Sequence, residues 1–495
     1  MGLPIPRKDF TDEDRGRFIE RLRRDLLALE ELLQRPGFGE GEATLGAEME
    51  LALVGADSRA LHMNREVLGR SLDDGLQLEL NRFNLEYNLT PQPVKGKPFR
   101  RIEAEMGIAL VGVGEAAARH GGRVVPIGIL PTLTEADLQS SSLTDLPRYH
   151  ALSASLRAAR QRPFEISIKG DEEVKLTCDD CTLEGANTSL QIHWRVPPKQ
   201  FASAFNAAQL AAGITLAIGA NSPTFLGRRL WDETRVALFK QSVDDRSLNY
   251  SEWKRLARVP FGHGWVREGV LELFQSAVAL FPPLMPVTGD DDPLEVLRSG
   301  GVPALHELRL HQSTVWQWNR AVYDPGGGGH VRIEMRALPA GPTPRDMMAS
   351  AAFMLGLAEG LRRQMDWIIP SFPFWYAQYN FYRAAKLGLD ADLLWPSTVP
   401  PSPRERGARD LIHELLPTAE RGLASLGVEE EEIDRVLDVI RGRLESKTTG
   451  ARWQRRVLDR FERVSRHDKA LARLVEAYVK EARTGKPVHE WGDAA

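Results

Sequence analysis

The sequence predicts an α+β fold that ends in a helical C-terminal module. Of its 495 residues, 42% are hydrophobic and 27% are charged, which is typical of a globular chain and excludes disordered, collagen-like and fibrous proteins. Four stretches between residues 45 and 340 alternate polar and apolar side chains, as strands with one buried face do. Beyond residue 405 the apolar residues recur at helical spacing instead.

The elements divide the chain into two expected parts. Residues 12–34 repeat apolar side chains at helical spacing and predict an opening amphipathic helix. Strand-like and helix-like stretches then mix, until residues 396–404, rich in proline and serine, indicate a linker. We therefore expect a main domain over 1–395 and a helical module over 396–495.

Charge and cysteine content limit the partners and the compartment. The 64 Lys and Arg residues nearly balance the 68 Asp and Glu residues, which argues against a dedicated nucleic-acid binder. The two cysteines, Cys178 and Cys181, provide no disulfide framework and favour a reducing cytosol. No apolar signal core opens the chain, and the apolar stretch 207–220 is too short to span a bilayer. We expect a cytoplasmic protein without membrane or nucleic-acid partners.

Three motifs imitate known sites. Gly112 to Ala117 resembles a dinucleotide fingerprint, but the surrounding apolar residues favour a helix. Cys178 and Cys181 lack the second ligand pair of a zinc site and are interpreted as incidental. The glycines 326–329 precede a strong strand, so a hairpin turn is favoured over a phosphate cradle.

The four alternating stretches concentrate reactive side chains on one face. Side chains repeat every second residue along a strand, so the polar members of each stretch share a face. These polar faces carry Glu48 and Glu50; Glu86, Asn88 and Thr90; Gln191, His193 and Arg195; and Arg332, Glu334 and Arg336.

Two interpretations of these faces are open. A sheet with one solvated face alternates in the same way, and each strand alone fits that explanation. The four faces together carry Glu, His, Gln and Arg rather than the Lys, Thr and Ser of an ordinary solvated face. In one sheet the carboxylates would converge, which favours a hard cation, while the arginines favour an anionic substrate. Such a set is typical of phosphoryl transfer.

The order of the motifs resembles a known family. The chain shows Glu-x-Glu after Gly46, Glu79 seven residues before Glu86, a strand with His193, an Ala-Asn-Ser-Pro segment upstream of Arg235, and Arg-x-Glu-x-Arg at 332–336. Together they resemble the glutamate–cysteine ligases of the second type, carboxylate–amine ligases of the glutamine synthetase superfamily. Two features depart from the family pattern: Gln191 replaces the first histidine of His-x-His, and Ala-Leu-Pro follows Arg336 in place of Val-Pro-Asp.

The resemblance implies a curved antiparallel β-sheet with helices packed on its convex face and the active site on its concave face. It implies ATP and Mg²⁺ as cofactors. In the implied reaction a substrate carboxylate attacks the γ-phosphorus of ATP, and an amine then displaces phosphate from the acyl phosphate to form an amide.

The resemblance also implies roles for individual residues. As metal ligands it implies Glu48, Glu50, Glu79, Glu86, His193 and Glu334. As catalytic residues it implies Arg336, Arg332 and Glu86. For ATP it implies Arg235, Gln191 and Arg332, and for the substrates Arg235, Arg320 and Asn88. The odd spacing of Glu79 from Glu86 predicts that the chain before the strand, and not the strand itself, delivers Glu79. For Arg235, the alternative to a role in binding ATP or substrate is an ordinary charged residue on a surface helix.

Glutamate with cysteine is the family's commonest substrate pair, which would place the protein in glutathione biosynthesis. Other acid and amine pairs remain open, as do a catalytically silent relative that binds ATP or amino acids and a guanidino kinase on a related fold. The expected partners are ATP, amino acids and, by analogy, a second copy in a homodimer.

Overall fold

Helices and antiparallel strands make up this computed structural model, which describes residues 5, 9–71, 73–246, 256–397 and 402–493. The helices in these ranges are α1 (Asp12–Leu33), α2 (Asn64–Leu68), α3 (Pro98–Ala118), α4 (Pro147–Arg160), α5 (Phe201–Gly219), α6 (Arg235–Ser242), α7 (Val270–Leu280), α8 (Pro293–Arg298), α9 (His306–Gln312), α10 (Pro344–Arg362), α11 (Met365–Ser371), α12 (Phe374–Leu387), α13 (Ala408–Ser425), α14 (Glu430–Ser446), α15 (Gly450–Glu462) and α16 (His467–Ala482). The strands are β1 (Thr44–Gly55), β2 (Leu76–Leu78), β3 (Asn84–Pro93), β4 (Gly122–Val125), β5 (Phe164–Lys169), β6 (Glu173–Cys178), β7 (Leu190–Arg195), β8 (Thr224–Phe225), β9 (Arg228–Arg229), β10 (Asn319–Asp324), β11 (His330–Met335), β12 (Asp392–Trp395) and β13 (Arg404–Gly407).

Seven strands form one antiparallel sheet in the order β10-β11-β7-β1-β3-β2, with β4 paired to β1 beyond the end of β7. The four stretches that alternate in sequence are β1, β3, β7 and β11. They lie next to one another in the sheet, in the order β11-β7-β1-β3. The predictions of an α+β fold and of one antiparallel sheet holding all four strands are therefore confirmed.

The apolar face of the sheet packs against helices. Met49 on β1, Ile192 on β7 and Ile333 on β11 are fully buried and belong to one core with residues of α3, α5 and α10. Helix α3 packs on β1 and β3, while α10 contacts β7 and packs along α5. Because alternate residues point to opposite faces, this packing leaves the glutamates of the same strands on the other side of the sheet.

Helix α5 is the central helix of that core. With the turn before it, the segment Pro198–Gly219 is long and apolar enough by length and composition to cross a membrane, and 89% of its apolar window is buried inside the protein. The apolar stretch 207–220, predicted to be too short to span a bilayer, is the C-terminal part of this longer helix, which begins six residues earlier at Phe201. Its buried amides are bonded within the protein, Asn206 to the Val266 carbonyl and Gln209 to that of Phe261.

The C-terminal helices share cores with the preceding part of the chain. Helices α13 and α14 pack on α10, and a second core joins Trp453 and Tyr478 of α15 and α16 to Val125 of β4. Strands β12 and β13 pair across the predicted linker, of which residues 398–401 lie outside the described residues. The division at residue 395 stays a prediction, and the packing across it is continuous.

The structure contains the predicted opening helix and shows where the three motifs that resemble known sites lie. The predicted opening helix is α1, which begins with a capping box between Thr11 and Asp14. Gly112 lies inside α3, so the helical interpretation is confirmed. The glycine run is a tight turn between β10 and β11, as predicted for a hairpin. Cys178 and Cys181 are both free thiols.

Candidate active site

Strand register brings the predicted polar residues together. Glu48 lies opposite Asn88 on β3 and Gln191 on β7, and Glu50 lies opposite Glu86. Directly opposed residues share a face and have adjacent Cβ atoms. On the other side of β7, His193 lies opposite Glu334 of β11. The convergence of carboxylates predicted from the alternation is therefore present on one face of one sheet.

Glu48, Glu50, Glu86 and Gln191 border a cavity of about 500 Å³ over the polar face of the sheet, whereas the predicted site residues Asn88, His193, Arg332 and Glu334 are not part of its lining. Its charged and amide side chains are Glu48, Glu50, Glu79, Glu86 and Glu184, with Arg148, Arg320, Arg336, Gln77, Gln191 and Asn187. Glu79 comes from the chain between β2 and β3, which confirms that it is delivered from outside the strand. The cavity thus combines five carboxylates with three guanidinium groups.

At one side of the sheet face, an ion-pair network fixes Glu334. Arg320 Nη2 donates to both carboxylate oxygens of Glu334 at 2.9 Å, and Arg336 also donates to Glu334 and to Gln191. Burial alone would raise the pKa of Glu334, but the positive charges of Arg320 and Arg336 hold it well below its ordinary value. Glu334 is therefore an anion that orients two arginines, and Gln191 holds the second.

His193 connects this network to Glu48. Arg332 Nε donates to His193 Nδ1 at 3.1 Å, so a neutral ring carries its proton on Nε2, which lies 3.0 Å from Glu48 Oε1. Burial opposes ionisation of Glu48, but the neighbouring His193 lowers the pKa of that carboxyl below its ordinary value. Arg332 is further anchored by Asp324 at 2.7 Å.

The pKa values of three other carboxyl groups of the cavity are raised, unlike those of Glu334 and Glu48. Burial, followed by the charges of Glu48, Glu79 and Glu50, raises the pKa of Glu86 well above its ordinary value. Burial and Glu50 likewise raise the pKa of Glu79 to about 7. Burial, with Glu79 and Glu50 nearby, also raises that of Glu184. Negative charge is thus in excess at this side of the cavity, which favours the uptake of protons or cations.

The donor chemistry of this side fits a hard cation, since carboxylate oxygens are the ligands Mg²⁺ prefers. Among the described residues, however, no group of three or more His, Cys, Asp or Glu side chains is gathered closely enough to hold a metal ion. Glu50 accepts hydrogen bonds from the Ser189 amide and hydroxyl at 2.7 and 2.8 Å, and Asn88 donates to Glu86 at 3.2 Å. The carboxylates converge, and protein donors occupy part of their oxygens.

Arg235 is not brought into the cavity. It begins α6, is 2% exposed, and donates to Glu233 Oε1 at 2.6 Å and to the Ala337 carbonyl at 2.7 Å. It is therefore a buried ion-pair residue rather than the surface helix charge considered as the alternative. Through the Ala337 carbonyl it contacts the residue that follows Arg336.

Several polar residues of the cavity were missed by the sequence analysis, among them Glu184, Arg148 and Tyr149. Glu184 lies on a single 3₁₀ turn, Glu184–Ala186, and Arg148 and Tyr149 lie in the first turn of α4. None belongs to an alternating strand, so no periodicity distinguishes them from ordinary loop and helix residues. The fold alone places them over the sheet.

Comparisons with known proteins agree with this geometry. The model of glutamate–cysteine ligase family 2 matches residues 44–259 and 281–477, which is most of the chain. The protein belongs to this family. The resemblance predicted from the motifs is therefore confirmed.

Individual family members are distant relatives. A Thermobifida fusca protein provisionally named glutamate–cysteine ligase 2 is 29% identical over 194 residues, which are 39% of this chain and 41% of that protein. A Frankia casuarinae protein provisionally named glutamate–cysteine ligase 2-1 is 30% identical over 158 residues, which are 32% of this chain and 37% of its own length. The chain thus matches less than half the length of these curated relatives.

A solved structure shares the fold. The glutamate–cysteine ligase of Francisella tularensis, crystallised with AMP, aligns with a TM-score of 0.54 over 92% of this chain and 91% of its own. Its sequence identity is 13%, so this likeness establishes the fold alone.

Proposed function

We propose that the protein is an ATP-dependent carboxylate–amine ligase. The observation that carries the proposal is the cavity on the polar face of the sheet, where five glutamates meet Arg148, Arg320 and Arg336 in a member of glutamate–cysteine ligase family 2. Carboxylates suit a divalent cation, and guanidinium groups suit phosphate. The proposed substrates are the γ-carboxylate of glutamate and the amine of cysteine, used in a cytoplasmic setting.

The proposed reaction has two steps. An oxygen of the substrate carboxylate attacks the γ-phosphorus of ATP, the bond between that phosphorus and the β,γ-bridging oxygen breaks, and ADP leaves. The amine nitrogen then attacks the acyl carbon, the carbon–oxygen bond to phosphate breaks, and the nitrogen loses a proton. Phosphorylation is needed because a free carboxylate has no adequate leaving group.

The residues of the cavity would act by charge and position. Arg336 is oriented by Glu334 and Gln191, so its guanidinium is held in place before substrate arrives. Such preorganised donors stabilise charge that develops on phosphoryl oxygens. Mg²⁺, when bound, would supply further positive charge to the ATP phosphates. Glu50, Glu79 and Glu86 are its proposed ligands, and they would have to move closer together to share one ion, because no three such side chains of the described residues are gathered closely enough to hold one.

Phosphate release tests the proposal. Mg-ATP and glutamate are incubated with and without a panel of amines headed by cysteine, and phosphate and amide are both measured. We expect release that one amine stimulates, with amide formed in equal amount. Glu86→Gln should lower kcat on the order of 100-fold. Glu115→Gln, on the exposed side of α3, is the matched control and should retain wild-type rates.

Other outcomes separate the alternatives. Binding of Mg-ATP without phosphate release for any acid and amine would indicate a silent relative, and transfer of phosphate to a guanidino compound without amide would indicate a kinase. Failure to bind Mg-ATP would contradict the assignment of the cavity.

A further inference from the structure

The turn before β7 brings two hydrogen-bond acceptors without donors to the active-site cavity. Glu184 opens the 3₁₀ turn Glu184–Ala186, Asn187 follows it, and both residues line the cavity. Within the described ranges, no side chain donates a hydrogen bond to the Glu184 carboxylate or forms an ion pair with it. Asn187 Oδ1 is buried and likewise accepts no hydrogen bond from a described residue. Because unpartnered polar groups are costly to remove from water, the turn is suited to a ligand that supplies donors.

A hydrogen bond fixes the orientation of the Asn187 amide. Asn187 Nδ2 donates to the Glu184 carbonyl oxygen at 2.7 Å. Only the nitrogen of an amide group can donate to a carbonyl, so the atom that lacks a partner is the oxygen, which is an acceptor. The group missing from this turn is therefore a hydrogen-bond donor. Beside a carboxylate, a positively charged donor makes the stronger bond.

The surroundings of Glu184 favour a further positive charge. Burial, followed by the negative charges of Glu79 and Glu50, raises the pKa of Glu184 well above its ordinary value. The charge of Arg336 acts in the opposite direction, but the Arg336 guanidinium donates its hydrogen bonds to Glu334 and Gln191. A cation brought by a ligand would thus be stabilised at the Glu184 carboxylate.

An ammonium group suits this turn better than a metal ion. Mg²⁺ prefers several oxygen ligands with more than one carboxylate among them, and Glu184 is not among its proposed ligands. An ammonium group carries a single positive charge and only N–H donors, so one carboxylate and one neutral oxygen can serve it. Glu184 together with Asn187 supplies that combination.

The chemistry of the proposed reaction decides which ammonium group can bind here. The acceptor nitrogen attacks the acyl carbon with its lone pair, and a nitrogen held as an ammonium ion has no lone pair. Cysteine, the proposed acceptor, carries no second amine. Glutamate carries an α-ammonium group that takes no part in the reaction and lies a short carbon chain away from the γ-carboxylate.

We infer that Glu184 and Asn187 bind the α-ammonium group of the acid substrate, so that the enzyme selects an α-amino dicarboxylic acid over the same acid without the amino group. This inference rests on the proposed ligase function and names residues that read its acid substrate. The identity of the acceptor does not depend on it.

Glutamate and glutarate test the inference, because glutarate has the same two carboxylates and lacks the α-ammonium group. Each acid is supplied with Mg-ATP and cysteine in the phosphate-release assay. We expect kcat/KM of the wild type to be about 100-fold higher for glutamate than for glutarate. Glu184→Gln should lower this ratio about 30-fold by raising the KM for glutamate, with the glutarate rate close to that of the wild type.

A matched control and two contrary outcomes complete this test. Glu165→Gln, at an exposed glutamate of β5, should keep the wild-type ratio. A wild type that uses glutarate as efficiently as glutamate would overturn the inference and leave the ligase function standing. An unchanged ratio in Glu184→Gln would also overturn it, whether both rates fall together or the variant only needs more Mg²⁺.

A binding measurement separates this inference from the proposed function. If glutamate supports no phosphate release with any amine, isothermal titration calorimetry compares the two acids on the full chain with Mg-ATP. Glutamate binding that is tighter than glutarate binding, that Glu184→Gln weakens and that Glu165→Gln retains supports the ammonium site even though the ligase proposal fails. Glutamate that binds no more tightly than glutarate, or does not bind, contradicts it.

Discussion

At the scale of single residues, the polar face of the sheet and the chain beside it carry two kinds of glutamate. Glu334 accepts hydrogen bonds from two arginines and stays ionised, whereas Glu79 lies beside Glu50 in a partly buried position. Three of the four predicted strands carry glutamates, yet the charge state of each glutamate depends on the cations that packing places nearby. The glutamates without such a cation are those we expect to respond to pH.

Glu79 should make the stability of the metal-free protein depend on pH. Its pKa rises from an ordinary 4.5 to about 7 in the folded state, so the folded chain holds the proton more tightly than the unfolded chain. The resulting stabilisation is complete below about pH 4.5 and is lost as the pH rises through 7. Between pH 5 and pH 8 the free energy of unfolding of Glu79→Gln should therefore fall by roughly 1–2 kcal/mol less than that of the wild type. Urea unfolding in EDTA at the two pH values measures this difference.

The control for this measurement is Glu115→Gln, which should unfold with the wild-type dependence on pH. An identical loss of unfolding free energy between pH 5 and pH 8 in Glu79→Gln and in the wild type would contradict the raised pKa.

At the scale of elements, the position of the sheet depends on close packing between α10 and α13. Gly356 and Gly360 of α10 face Gly422 of α13, and a Cβ atom at Gly422 would collide with the Gly356 carbonyl oxygen. Backbones approach this closely only where no side chain intervenes. Helix α10 also contacts β7, so this joint supports the strand that carries Gln191 and His193.

Gly422→Ala should therefore destabilise the protein by about 1–3 kcal/mol, because neither backbone can move without disturbing the core. Gly107→Ala is the matched control: it lies in α3 with nothing within 4 Å of its added Cβ, and alanine should stabilise that helix by about 0.5–1 kcal/mol. Urea unfolding of both variants measures the difference. Small and equal changes in the free energy of unfolding of the two variants would show that the contact between α10 and α13 can accommodate a methyl group.

At the scale of the whole molecule, the C-terminal helices pack against the part of the chain that precedes them. Arg443 of α14 forms a buried ion pair with Asp346 of α10 at 2.7 Å. Trp453, Tyr478 and Trp491 pack edge to face in the second core, together with Val125 of β4. Removal of these helices would expose apolar residues of α10 and leave the Asp346 carboxylate buried without its ion-pair partner.

Truncation after residue 395 should therefore abolish cooperative folding. We expect the fragment 1–395 to lack near-UV circular dichroism and a sharp thermal transition, because burying an unpaired carboxylate and exposing a core both cost several kcal/mol. Addition of the fragment 396–495 should restore part of the signal. A fragment 1–395 that unfolds cooperatively alone would show instead that the first 395 residues are an independent domain.

The strand residues of the site could be predicted from sequence, and most of the others could not. Glu48, Glu86 and Glu334 were found because side chains alternate strictly along a strand, so a local pattern fixes the face on which each lies. Glu184 and Arg148 were missed because a turn and a helix start contain no such pattern. Their position over the sheet results from chain segments that pack together from distant parts of the sequence.

Local sequence thus specified the strands, the polarity of their two faces and, through the order of the motifs, the family. Tertiary packing decided which charges meet. Arg235 pairs with Glu233 instead of lining the cavity, and Glu184 and Arg148 line it because a turn and a helix start from other parts of the chain are brought to the sheet. The physical reason is range: backbone periodicity acts between neighbouring residues, whereas burial and ion pairing depend on contacts between segments that only the folded chain brings together.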